Sequence, residues 1–140
     1  MIAVYSYMPF AKITKDVGFS GLPGDFGDQG NRLFLTPRHY GSVWNTYAFQ
    51  NKEWQGFKLG AGLVGVGSRQ GDPGNNFQLP GYVTANMMAN YQFKVGANSM
   101  TAQLNVNNLF DRTYFAGSNG ASMVTFGAPF NILASLRVEY

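Results

Sequence analysis

The sequence contains no cysteine, which excludes disulfide scaffolds, thiolate metal sites and thiol nucleophiles together. Charge is scarce as well: Asp, Glu, Lys and Arg make up 12% of the chain, about half the quarter usual in soluble domains. The net charge of +3 is scattered, and no Lys/Arg run offers a nucleic-acid surface. There is a single histidine, His39, and no Gly-x-Ser-x-Gly elbow, so a Ser-His-Asp triad has nothing to assemble from. No apolar run approaches the ~20 residues of a membrane helix. The opening MIAVYSYMPFAK lacks the basic stretch that precedes the apolar region of a secretory signal. A location beyond the inner membrane would therefore make this chain a mature piece or a fragment. These absences predict no enzyme, no cofactor and no metal site.

Aromatic residues and glycine are abundant. Phe, Tyr and Trp reach 16%, with 18 Gly among 140 residues, a balance suited to a lipid-facing sheet with aromatic girdles. A soluble β-sandwich with a polar, uncharged surface is the competing fold on composition alone. Helical periodicity is nowhere sustained, whereas six segments read as strands: Ile2–Thr14, Arg38–Gln50, Trp54–Arg69, Gly81–Lys94, Met100–Asn107 and Phe130–Tyr140. In the fifth, Met100, Ala102, Leu104 and Val106 oppose Thr101, Gln103, Asn105 and Asn107. In the last, Ile132, Ala134, Leu136, Val138 and Tyr140 share one face, with Leu133 the exception on the other. Period two is what a half-buried strand requires. The polar faces carry Asn, Gln, Thr and Ser rather than Lys and Glu, which fits a wet lumen better than bulk solvent.

Connection lengths alternate: long (Lys15–Pro37), short (Asn51–Glu53), medium (Gln70–Pro80), short (Val95–Ser99), long (Asn108–Pro129). Outer-membrane barrels sort loops this way, with tight periplasmic turns and extended external loops. The carboxyl terminus then falls at the periplasmic rim. Six strands are too few to close a barrel, since the smallest membrane barrels use about eight and plugged transporters about twenty-two. The expected fold is all-β: about six antiparallel transmembrane strands, the C-terminal portion of a large outer-membrane barrel. The alternative is a small self-contained or oligomeric outer-membrane barrel with a structural or pore role. A soluble β-domain holding an apolar ligand is a third possibility, and it predicts solubility without detergent.

The run LNVNNLFDRTYF, Leu104–Phe115, resembles the penultimate-strand motif of TonB-dependent siderophore receptors. GAPFNILASLRVEY, Gly127–Tyr140, is similar to that family's terminal strand, with Phe130 where arginine is commoner. GNRLFLTPRHYGSVWNTY (Gly30–Tyr47) and SRQGDPGNNFQLPGYVTANMMANYQF (Ser68–Phe93) are similar to further stretches, in collinear order over nearly the whole chain. The resemblance implies an outer-membrane receptor importing a ferric siderophore with energy relayed by TonB. Residues 1–140 would then be a C-terminal part of its barrel, without the plug domain and not transport-competent alone. It also implies that the strand ending at Tyr140 is read by the barrel assembly machinery.

Single motifs are read structurally. In Asn108-Leu109-Phe110-Asp111 the polar pair turns the chain out of its strand. Gly60-Ala61-Gly62-Leu63-Val64-Gly65 matches a dinucleotide fingerprint only formally, because no helix follows to meet a pyrophosphate; close strand packing or lumen clearance explains it better. His39 belongs at a rim or in the lumen. Asp25, Asp28 and Asp72 lie in Gly-rich loops without EF-hand spacing and read as solvated turns. Arg69, Arg112, Phe77, Tyr82, Tyr114 and Phe115 fall near the external rim, where an aromatic girdle is preferred over contact with an anionic siderophore complex. No ligand residue is assigned.

Overall fold

Alternation along the sequence becomes one antiparallel meander in the computed structural model, which describes residues 1–16, 18, 27–120 and 122–139. Strands β1 (Ile2–Tyr7), β2 (His39–Ala48) and β3 (Phe57–Val66) are followed by a short ribbon, β4 (Arg69–Gln70) with β5 (Gln78–Leu79). Next come the long pair β6 (Tyr82–Val95) and β7 (Asn98–Asn107), a second ribbon, β8 (Phe115–Ser118) with β9 (Val124–Phe126), and β10 (Asn131–Glu139). The main sheet has six strands in the order β1-β2-β3-β6-β7-β10, each lying beside the next in sequence. Both ribbons stand in the longer connections, at the end of the sheet opposite the tight turns.

Each expected strand has its counterpart, with corrected ends. The first stops at Tyr7, and only an isolated bridge, Lys12 to Arg32, continues pairing beyond it. The third is cut at both ends, by a 3₁₀ turn at Lys52–Trp54 and by the break that sends Arg69 into its own ribbon. Tyr140 lies outside the described residues. The β6–β7 hairpin closes through Gly96 and Ala97, with Val95 paired to Asn98. Gly96 has φ +62°, matching the preference for glycine first in a two-residue II′ loop.

Register sorts side chains onto two faces. Phe57–Tyr91–Ala102–Leu136, Leu59–Ala89–Leu104–Ala134 and Ala61–Met87–Val106–Ile132 run across four strands as continuous apolar rows. Opposite them lie Asn86, Asn90, Gln92, Thr101, Gln103, Asn105 and Asn107, joined by bonds such as Asn107 Nδ2 to Asn131 Oδ1 (2.9 Å) and Gln103 Nε2 to Asn105 Oδ1 (3.0 Å). The apolar face is uncovered: Leu63, Leu104, Ile132 and Leu136 are 41–61% exposed, and Leu79 is the one buried hydrophobic side chain among the described residues. Total accessible surface is 9846 Å², against about 7,200 Å² for a compact soluble protein of this mass. The sheet has no core of its own; its apolar side needs lipid.

Aromatic rings bound that apolar band. At the tight-turn end, Tyr47, Phe49, Trp54, Phe57, Tyr91 and Phe93 form a chain with centroid spacings from 5.0 to 6.3 Å. At the other end Tyr5 and Tyr7 flank His39, with Tyr7 stacked at 5.0 Å. Residues from Phe57 to Gly65 separate the belts along β3, which at about 3.3 Å per residue and ~40° of tilt gives a band of about 20 Å.

The Gly60–Gly65 run has a specific steric cause. Trp44, on the inward face of β2, lays its indole across β3. A Cβ at Gly60 would meet Trp44 Cζ2 at 2.9 Å, and one at Gly62 would meet Cε3 at 2.2 Å. Gly65 is open, with nothing nearer than Val83 Cγ2 at 3.7 Å. Gly60→Ala should therefore cost about 1–3 kcal/mol by overpacking and lower the urea midpoint in detergent, and Gly65→Ala should leave it unchanged. Trp44→Ala should erase most of the Gly60→Ala cost in a double-mutant cycle; an additive cycle would show that the indole is not the obstacle.

Candidate functional site

The long connections gather at one rim, and two asparagines shape it. Asn108 ends β7 at φ +50°, a conformation Asn tolerates better than most residues, and is 4% exposed. Its Oδ1 accepts from the Arg112 N–H (2.9 Å), while its Nδ2 donates to the carbonyls of Arg112 (2.9 Å) and Ala128 (3.1 Å). Its own N–H donates to Asn86 Oδ1 (3.0 Å). Asp111 completes the turn by accepting from the Phe130 N–H at 2.8 Å, tying the exit of β7 to the entry of β10. Asn75, at φ +57°, repeats the device: it accepts from the Arg32 N–H (2.9 Å) and donates to the Arg32 carbonyl (2.8 Å). The Asn-Leu-Phe-Asp stretch is thus a structural bolt, as its residue types suggest.

Arg69 holds the two ribbons together. It is 5% exposed and donates from Nη2 to the carbonyls of Phe115 (2.6 Å) and Ala116 (3.0 Å), with Cζ 5.6 Å from the centre of the Tyr82 ring. The Ser118 hydroxyl donates to the Gly71 carbonyl across the same gap. Tyr82 pairs in register with Val66, and Val66 with Tyr40, so Tyr82 lies on the inward face, where Tyr114 packs on it at 4.2 Å. Phe77 lies over Gly71, and Phe115 packs on Phe126 at 5.2 Å. The expected outer girdle is therefore corrected at Arg69, Phe77, Tyr82, Tyr114 and Phe115, which pack the rim and its ribbons together. Tyr5, Tyr7 and His39 supply the outer belt instead.

Two spaces open at this rim. A groove of ≈470 Å³ is lined by Tyr5, His39, Gly41, Gly65, Val83 and Arg112 among others; there Tyr5 Oη lies 2.8 Å from His39 Nδ1. A smaller cavity of ≈180 Å³ is lined by Arg32, Arg38, Ser68, Arg69, Gln70 and Gln78. Sequence reasoning singled out only Arg69 of these three arginines. Arg32 and Arg38 lie far from it in the chain; the pairing of β2 with β3, Tyr40 opposite Val66, the Leu35 N–H bond to the Gln70 carbonyl (2.9 Å) and the Asn75 clasp on Arg32 bring them near. Asp72 is engaged locally, accepting from the Asn76 N–H (2.8 Å) and Nδ2 (2.7 Å). Asp28 accepts from Asn31 Nδ2 at 3.4 Å, and Asp25 lies outside the described residues. Among the described residues no group of three or more His, Asp or Glu is placed to hold a metal ion.

Residues 1–109 match the family model described as TonB dependent receptor-like, beta-barrel. The metal-pseudopaline receptor CntO of Pseudomonas aeruginosa is 36% identical over all of this chain, which covers 18% of that protein. The ferrioxamine B receptor of Salmonella typhimurium is 36% identical over 78% of the chain and 16% of its own length. Among solved structures, the siderophore receptor PiuA from Acinetobacter baumannii superposes with a TM-score of 0.75 at 29% identity, over 98% of this chain and 19% of that one. The chain thus spans under a fifth of the length of these relatives.

Replacing Arg69 by Met keeps the bulk and removes both carbonyl contacts. We expect a loss of about 1.5–3 kcal/mol from the charge-assisted hydrogen bonds removed, read as protease cleavage between residues 112 and 130 at concentrations that leave the unaltered rim intact. Asn108→Leu should open the same segment by a comparable amount; resistance in both variants would show that neither side chain holds the rim.

Proposed function

The chain belongs to the TonB-dependent receptors, and from that premise we propose that it forms the closing part of a large outer-membrane barrel that imports a metal–siderophore complex. The observation that carries the reading is the pair of free edges on β1 and β10, in a chain that aligns end to end with a protein of which it covers 18%. An unpaired strand edge in hydrocarbon costs several kcal/mol for each unsatisfied backbone group, so strands from the rest of a longer protein must flank both sides. The self-contained or oligomeric barrel is disfavoured by the same alignment, since these relatives are several times longer than the six strands present.

Within such a receptor the division of labour follows the faces. The Leu, Ala, Val and Met rows hold the segment in lipid, and the two aromatic belts fix its depth. The Asn/Gln face lines the lumen with neutral hydrogen-bonding groups, wetting the passage without trapping a charged solute. The ribbons and Arg69 give the outer rim a set shape at the mouth. Transport itself requires a plug domain and contact with TonB outside these residues, and the segment has no catalytic part in it.

The reading is tested by expressing the gene extended upstream to its first in-frame start, in a Gram-negative host stripped of its own receptors. Uptake of radiolabelled iron as ferric siderophores should appear and should vanish in a host without TonB; uptake indifferent to TonB would overturn it. Deleting residues 130–140 should remove the heat-modifiable folded form from the outer membrane, because the last strand closes the sheet and carries the assembly signal ending at Tyr140. A folded barrel in that deletion would refute the closing role.

A further inference from the structure

We propose that Arg32, Arg38 and Arg69 form an oxyanion site at the inner side of the outer rim, which receives carboxylate or phosphate groups of the incoming solute. This rests on the receptor reading and sharpens it, by giving the mouth a charge preference. Three arginines line one ≈180 Å³ cavity together with Ser68, Gln70 and Gln78, and no carboxylate is among its described lining residues. Among the described residues the one ion pair joins Arg137 to Glu139, at the opposite end of the sheet. Among the described residues the three cations therefore share a space that no carboxylate lines.

Their hydrogen bonds leave donors to spare. Arg32 gives Nη1 to the Pro9 carbonyl (3.1 Å) and Nη2 to the Met8 carbonyl (2.8 Å), which fixes its fork while keeping its full charge. Arg38 is exposed and its guanidinium has no bonding partner among the described residues. Arg69 uses only Nη2; its Nη1 is buried with no partner, as is Gln70 Oε1. Buried polar atoms in native proteins are nearly always paired, and a guanidinium fork matches the two oxygens of a carboxylate or phosphate. Turning the Gln70 amide over would present its NH₂ as a further donor.

Placement favours a passing solute. The Arg69 guanidinium stands over Tyr82, whose register with Val66 and Tyr40 fixes it on the lumen face. Arg38 shares the parity of Tyr40 along the same segment. The cavity thus belongs to the mouth of the passage rather than to the lipid side, where the groove beside His39 lies.

The test is calorimetric titration of the assembled full-length receptor in detergent with citrate and, separately, with inorganic phosphate. Binding of either anion, weakened at least tenfold by Arg38→Gln and partly restored by Arg38→Lys, supports the site; the preferred anion says which oxyanion it serves. Arg38 is chosen because it holds no other group, so the rim should survive its loss. Arg32→Gln provides a second, independent variant. Absence of heat with both anions, or binding indifferent to Arg38 and Arg32, overturns the proposal. Failure of the receptor reading looks different: no ferric siderophore enters the cell at all. Failure of the oxyanion site alone leaves uptake in place and the titrations flat.

Discussion

A backbone N–H or C=O in hydrocarbon must be paired, and everything about this chain follows from where that condition is met and where it is not. Across five strand-to-strand seams of the main sheet it is met without interruption. At the outer edges of β1 and β10 it is unmet, and those two edges, rather than any single residue, are where the proposed barrel would continue. The same condition explains the missing core. A sheet that faces lipid on one side and a wet interior on the other buries nothing against itself, so its apolar rows remain open and the buried Leu79 belongs to the β4–β5 ribbon instead.

At the rim, lipid no longer forces strand pairing, and side chains take over the satisfaction of backbone groups. Asn75 and Asn108 each occupy a left-handed conformation and each bond back to a neighbouring segment through both ends of the amide. Arg69 does for two carbonyls of the β8 ribbon what a further strand would have done. Hydrogen bonds to a charged donor are roughly twice as strong as neutral ones, so one guanidinium substitutes for several turns of loop packing. The external connections are long, yet their residues near the sheet are specified as closely as the strands.

Much of this architecture was legible beforehand, for a physical reason: period-two alternation is imposed by lipid on one side and water on the other, and it survives in the sequence wherever a strand crosses the membrane. Met100–Asn107 and Phe130–Tyr140 read cleanly because both faces are under that constraint. The pattern over Ile2–Thr14 overshoots the strand because apolar residues continue past Tyr7 into a connection. The ribbons β4–β5 and β8–β9 leave no sequence signal because two to four residues are too few to show a period. The rim cluster was the least visible. Tyr82 and Arg69 look like girdle residues by composition; register puts Tyr82 on the inward face, and the Arg69 guanidinium stands over its ring. Arg32 and Arg38 carry no local mark at all, since what joins them to Arg69 is long-range: the β2–β3 pairing and the bonds of Arg32 to Asn75 and of Leu35 to Gln70.

The seam where Trp44 crosses Gly60 and Gly62 has an optical consequence. The chain has two tryptophans, and the fold stations them in opposite surroundings. Trp44 is half-buried on the lumen face, pressed against glycine backbone, while Trp54 is 52% exposed beside Phe49 and Phe57 in the belt at the tight-turn end. One indole therefore emits from the interior of the passage and the other from the membrane boundary. A brominated lipid quenches the second and a water-soluble quencher entering the lumen reaches the first. The segment carries its own pair of depth-resolved lamps, one for the passage and one for the bilayer, without any added label.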